Sequence, residues 1–327
     1  LICSPALAMS GTALALGVVA ASTTHEQLVA AYTREAARGA RAKDHARSSV
    51  CYERLSLLEP TQKAFQFRMA QEVAALGDVE QAEALILRLA PLDQLGYPDA
   101  QVWRAARLLQ GELDRNKLTD AEMHPKQAIK GQGDNQAAHS ILGQLYARTG
   151  RLEEAERHLV QVVQRQPEMQ LLLSTIAREQ GKREQSLSWA KSAEKVYRDL
   201  LALDPNNEKA RVLLSASMIA QNNYPAASQA LTDGLARDDT PTMRTALGDL
   251  YSRWYDVQSQ ETPSDLGARL ALLEQGLRYN PANLGLMERI NRLMGNESAE
   301  AEKARAVLRE LLTTGKATAS THFVLGI

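Results

Sequence analysis

Apolar residues return along this chain at intervals of three and four, with charged and amide residues between them. That period predicts helices rather than strands. The segment ending in CYERLSLLEP reads as a helix stopped at Pro60. Ala193, Tyr197 and Leu200, followed by Pro205, read as another. Ala, Leu, Glu, Gln and Arg dominate, and aromatic residues make up only 5%. These are helix formers, and β-branched or aromatic runs are scarce, so the expected class is all-α. Pro5 to Ala21 differs, because its 17 positions carry no charge. Three readings of it stay open: a membrane-spanning helix near the lower length limit, the core of an export signal cleaved near Ala21, and a buried helix of the fold.

Repetition is clearest from Gln136 to Met169. Leu142-Gly143, Tyr146, Gly150, Ala155, Leu159 and Pro167 fall there in order. The small residues Gly143 and Ala155 would let two antiparallel helices approach closely, and Leu142, Tyr146 and Leu159 would fill the crossing. Gly150 suits a left-handed turn between the helices, and Pro167 would stop the second one. Worn copies follow the same order. Gly77, Ala82, Ile86 and Leu89 make one, and Leu214, Met218, Asn222, Ala227 and Leu231 another without glycines. Leu247-Gly248 with Tyr251 opens a further unit that closes at Pro281, and a last pair is expected over about 282–313. Pro167 and Pro205 stand 38 positions apart, four more than a 34-residue repeat. SQETPSD, ending at Asp265, reads as a longer loop.

In these positions the chain resembles the tetratricopeptide repeat family. The resemblance implies a right-handed α-solenoid of antiparallel helix pairs, a superhelix, preceded here by the N-terminal apolar helix. The expected organisation is an anchor or signal segment at 1–22, repeats at 23–94, an irregular connector and degenerate repeat at 95–135, and repeats at 136–327. His322 to Gly326 lines up with His139 to Gly143, so the last repeat is expected to be truncated and the chain to continue past Ile327. The weakest unit lies between Asp99 and Gln132, where Pro125 would either kink a helix or begin one. The stretch from Gly111 to Asn135 is expected to be mobile.

Charge adds little. Lys plus Arg number 38 and Asp plus Glu 39, a net charge of -1, which argues against a nucleic-acid surface. Arg34, Arg38, Arg41, Lys43 and Arg47 cluster after the apolar run, either on a solvated helix face or against anionic headgroups. Cys3 and Cys51 read as unpaired thiols. The histidines His25, His45, His124, His139, His158 and His322 show no ligand spacing, and no phosphate-binding loop or nucleophile motif occurs. Glu153-Glu154 reads as helix-start charge. No catalytic, cofactor or metal site, and no small-molecule substrate, is expected.

The resemblance also implies where a partner would sit, because first helices of successive repeats line a groove. That register puts Ala137, Ser140, Gln144 and Arg148 in the groove, then Ser174 and Arg178, then Thr245, Asp249 and Arg253, then Glu288 and Arg292. Around Leu214 it picks Lys209, Val212, Ala216 and Ile219, a more apolar set. Gln144, Arg178 and Ala216 stand where family members that clamp a terminal carboxylate carry asparagine, which argues against that mode. The expected function is a scaffold holding peptide or helical segments of other proteins, membrane-anchored or exported in a bacterial envelope. The alternative is the partner-binding arm of a transferase or kinase whose catalytic domain lies outside these residues.

Overall fold

A computed structural model describes residues 24–110, 114–294 and 299–325. The charge-free run 5–21 lies outside them. Among the described residues the chain is helical throughout, without strands, and no helix is long and apolar enough to cross a membrane.

Two compact units divide the chain, one ending at Gln161 and one beginning at Val162. The first holds α1 (His25–Arg41), α2 (His45–Leu58), α3 (Lys63–Ala75), α4 (Val79–Leu89), α5 (Pro98–Leu109), α6 (Arg115–Gly131), α7 (Gln136–Arg148) and all but the last residue of α8 (Leu152–Val162). The second holds α9 (Met169–Glu179), α10 (Arg183–Leu203), α11 (Glu208–Ala220), α12 (Tyr224–Leu235), α13 (Pro241–Glu261), α14 (Leu266–Tyr279), α15 (Leu284–Met294), α16 (Ala299–Thr313) and α17 (Ala319–Leu325).

In the first unit the motif residues act as their sizes dictate. Leu142, Tyr146, Ala155 and Leu159 are buried. A Cβ on Gly143 would lie 2.5 Å from Leu159 Cδ2, so only glycine lets α7 and α8 approach this closely. Gly150 has φ +74 and turns the chain between them; in the second unit Asn222, φ +59, takes the same place between α11 and α12. α8 ends at Val162, before Pro167, so the proline belongs to the turn into α9 rather than stopping α8 itself.

Of the two expectations for Pro125, a helix beginning there is ruled out. α6 starts at Arg115, capped by the Asp114 side chain accepting from Lys117 N at 2.8 Å, and runs through Pro125 to Gly131. Most of the stretch expected to be mobile is thus one helix, and Glu122 in it bonds Tyr146 and Arg151.

In the second unit the first helices α9, α11, α13 and α15 touch one another in succession, and each of α9, α11 and α13 packs on its own second helix. α17 continues that row by packing on α15. One apolar core runs beneath, through Leu214, Leu231, Leu247, Leu273, Leu286 and Ile290. The four extra residues before Pro205 lengthen α10, which reaches 21 residues. SQETPSD is likewise not a long loop: α13 continues through Glu261, also 21 residues, and only 262–265 turn.

Candidate partner-binding groove

α11 and α13 begin side by side. Asn207 caps α11 by accepting from Ala210 N at 2.9 Å, and Thr240 caps α13 by accepting from Met243 N at 3.3 Å. The Thr240 hydroxyl also donates to Glu208 Oε1, tying the two helix starts together. Behind them Tyr224, Trp254, Tyr251 and Tyr279 form successive stacked pairs with centroids 5.8, 5.9 and 6.0 Å apart, which fix α13 against α12 and α14.

Between α11 and α13 lies an open pocket of about 520 Å³. Val212, Ser215, Ala216 and Ile219 line it from α11. Pro241, Thr242, Thr245, Ala246, Asp249, Leu250 and Arg253 line it from α13. Most of this wall is aliphatic. Asp249 is held by Asn283, whose Nδ2 donates to Oδ1 at 2.8 Å. The Ser215 hydroxyl is buried in the wall and has no hydrogen-bond partner among the described residues. Such a group is costly to leave unsatisfied.

Arg253 is the cation of the pocket wall. Burial pushes the Tyr224 hydroxyl above its usual pKa; the Arg253 and Arg178 charges pull against that rise and those of Glu261 and Asp256 add to it. Both arginines are exposed, and neither side chain makes a hydrogen bond or ion pair among the described residues.

The structure thus brings together Val212, Ala216 and Ile219 with Thr245, Asp249 and Arg253. Glu288 and Arg292 are exposed on α15 outside this pocket, and Lys209 lines a separate hollow with Pro167 and Leu213. Most of the remaining positions bond within their own unit. Ser174 is 1% exposed; its Oγ donates to Ser186 O at 2.9 Å and Ser186 Oγ donates back to Ser174 O at 2.8 Å, so it lies inside the α9–α10 crossing instead of the groove. In the first unit Ala137 is exposed, Ser140 is buried, Gln144 donates to Ser140 Oγ at 3.1 Å, and Arg148 donates to Leu109 O at 2.9 Å at the end of α5. Ser215, Thr242, Ala246 and Leu250 were not singled out from the sequence, although Thr242 and Ala246 stand one turn from Thr245 and Asp249. Among the described residues no group of three or more His, Cys, Asp or Glu could hold a metal ion.

Residues 190–250 match the tetratricopeptide repeat family model, a segment that takes in α11, α12 and the α13 wall of the pocket up to Leu250. No curated protein matches. Among solved structures the chain is similar to the human IFIT1 dimer with m7Gppp-AAAA, at 16% identity over 87% of this chain and 63% of that one, TM-score 0.46. It thus spans under two thirds of the IFIT1 chain. It is also similar to a thermophilic tetratricopeptide protein of Thermus thermophilus (21% identity, 59% of this chain, 96% of that one, TM-score 0.37). A tetratricopeptide repeat protein of Parabacteroides merdae gives 16% identity, 70% of this chain, 97% of that one and a TM-score of 0.35. The family match thus covers one stretch of the second unit, where the helices also stack as antiparallel pairs.

Proposed function

We propose that the chain is a protein-interaction scaffold that holds an extended or helical segment of a partner between α11 and α13. The carrying observation is the aliphatic pocket of about 520 Å³ between two first helices, with the unpaired Arg253 in its wall. An apolar side chain of the partner fills the pocket, a polar group satisfies Ser215, and a neighbouring carboxylate takes charge-assisted hydrogen bonds from Arg253. Peptides selected from a random display library on the full chain test this. The expected winners pair a large apolar residue with Asp or Glu, and lose binding to an Ala216→Phe chain whose melting temperature is unchanged. Winners that bind Ala216→Phe as well as the parent would rule the groove out. A bacterial envelope location, supported by the charge-free run 5–21, belongs to the same proposal; recovery of the full chain only in the cytoplasmic fraction removes it.

A further inference from the structure

α2 carries an outward face that the groove does not use. Its inner side, Ser48, Cys51 and Leu55, is buried in its packing on α1 and α3; Ser48 Oγ donates to Ala36 O at 3.1 Å. On the other side Arg47, Val50, Arg54 and Leu57 follow one another at steps of three and four, which is one stripe of a helix. Val50 is 54% and Leu57 67% exposed, and both arginines are exposed. Arg47 pairs with Glu35 at 2.5 Å, while Arg54 makes no ion pair among the described residues.

The hairpin tip adds exposed Arg34, Arg38, Arg41 and Lys43. Against these six cations stand five acids of the same hairpin, Glu26, Glu35, the capping carboxylate Asp44, Glu53 and Glu59, leaving +1 locally in a chain whose net charge is -1. His25 Nε2 meets Glu59 Oε1 at 2.8 Å, so the end of α2 returns beside the start of α1. The stripe therefore runs toward Thr24, the residue three positions after the charge-free run 5–21.

We propose that this stripe is a membrane-surface contact. Val50 and Leu57 sink into the headgroup region of an anionic bilayer, and Arg47 and Arg54 keep their guanidinium groups at the lipid phosphates. A cationic stripe with isolated aliphatic side chains between its charges suits an anionic interface. The proposal does not depend on the groove reading.

A local probe separates this contact from any insertion of 5–21. In a Cys3→Ser, Val50→Cys chain an environment-sensitive dye goes to position 50, because Cys51 is buried and burial pushes its thiol pKa up. The expected result is a blue shift on mixed phosphatidylglycerol and phosphatidylcholine vesicles but not on phosphatidylcholine alone, reversed by high salt. Arg47→Glu with Arg54→Glu raises the lipid needed for half the shift by about tenfold or more, whereas the Arg47→Lys, Arg54→Lys pair keeps it. A dye at Asp238→Cys stays unmoved. Equal shifts on both vesicles, or a glutamate pair behaving as the parent, overturns the proposal. No shift on either vesicle also overturns it, and leaves the stripe to a protein partner.

Discussion

Gly143 and Leu159 touch so closely that the glycine's missing methyl group would overlap the leucine, 2.5 Å from both Cγ and Cδ2. Leu159 is fully buried and has nowhere to retreat. Gly143→Ala therefore overpacks the α7–α8 crossing by about 1–3 kcal/mol, against about 1 kcal/mol gained in helix propensity. The expected net effect is a lower urea midpoint, with Leu159→Ala partly rescuing it in a double-mutant cycle. A Gly143→Ala chain as stable as the parent would contradict the crossing.

Glu122 gathers three elements onto one carboxylate. Its Oε1 accepts from Tyr146 Oη at 3.0 Å and Lys126 Nζ at 2.5 Å, and Oε2 accepts from Arg151 Nη1 at 2.8 Å. Burial pushes its pKa up, but the three donors outweigh that and hold it below the usual carboxylate value. Its contribution is present above the carboxylate range and lost as pH falls through it. Glu122→Gln should cost about 1–3 kcal/mol at neutral pH, shrinking toward zero in acid, read from urea midpoints at two pH values.

His124 and His158 set a second acid response. His124 is 1% exposed; its ring meets Gln101 Oε1 at 2.5 Å and accepts from Arg104 Nε at 3.5 Å. Burial, then the Arg104 charge, lowers its pKa from 6.5 to about 4. Burial, then His139 and Arg157, lowers His158 to about 4 as well. The unfolded chain takes up these protons first, so stability falls as pH drops from 6.5 toward 4 and is flat just above 6.5. The expected loss at His124 alone is on the order of 2–3 kcal/mol. A His124→Gln chain should show a shallower slope in that window; an unchanged slope would assign the response elsewhere.

Asn283 links the fold to the groove. Its Oδ1 accepts from Leu286 N at 3.0 Å at the start of α15, while Nδ2 holds Asp249 in the pocket wall. Asn283→Ala should cost about 1 kcal/mol as a lost cap and release Asp249 toward the pocket. Acidic peptides selected on the parent should then bind more weakly, while Asn283→Asp, which can cap but cannot donate, keeps most of the stability and loses the same affinity.

The helix pairs were legible because size and backbone freedom are local demands. Gly143, Tyr146, Ala155 and Leu159 announce a crossing by volume alone. Register then carried Val212, Ala216, Ile219, Thr245, Asp249 and Arg253 to one pocket. Ser140 and Ser174 escaped the same register because a small hydroxyl can bond inside a helix crossing and so tolerate burial. Arg148 escaped it because a long side chain reached the Leu109 carbonyl. The Glu122 cluster joins residues up to 29 positions apart, which no local pattern reveals. At Pro125 the ring is buried and the helix runs on through it, while SQETPSD misled because its first three residues extend an exposed helix end before the turn at 262–265.

The 21-residue helices α10 and α13 carry a consequence for how such a chain can change. Added length was absorbed along the helix axis, at the cost of leaving Leu203 86% exposed at the far end of α10. Because four residues are close to one full rotation, the buried face resumes nearly in phase, and neighbouring repeats need no rebuilding. Growth by whole rotations therefore supplies new outer surface without disturbing the stack, giving evolution or a protein engineer a place to append a foothold.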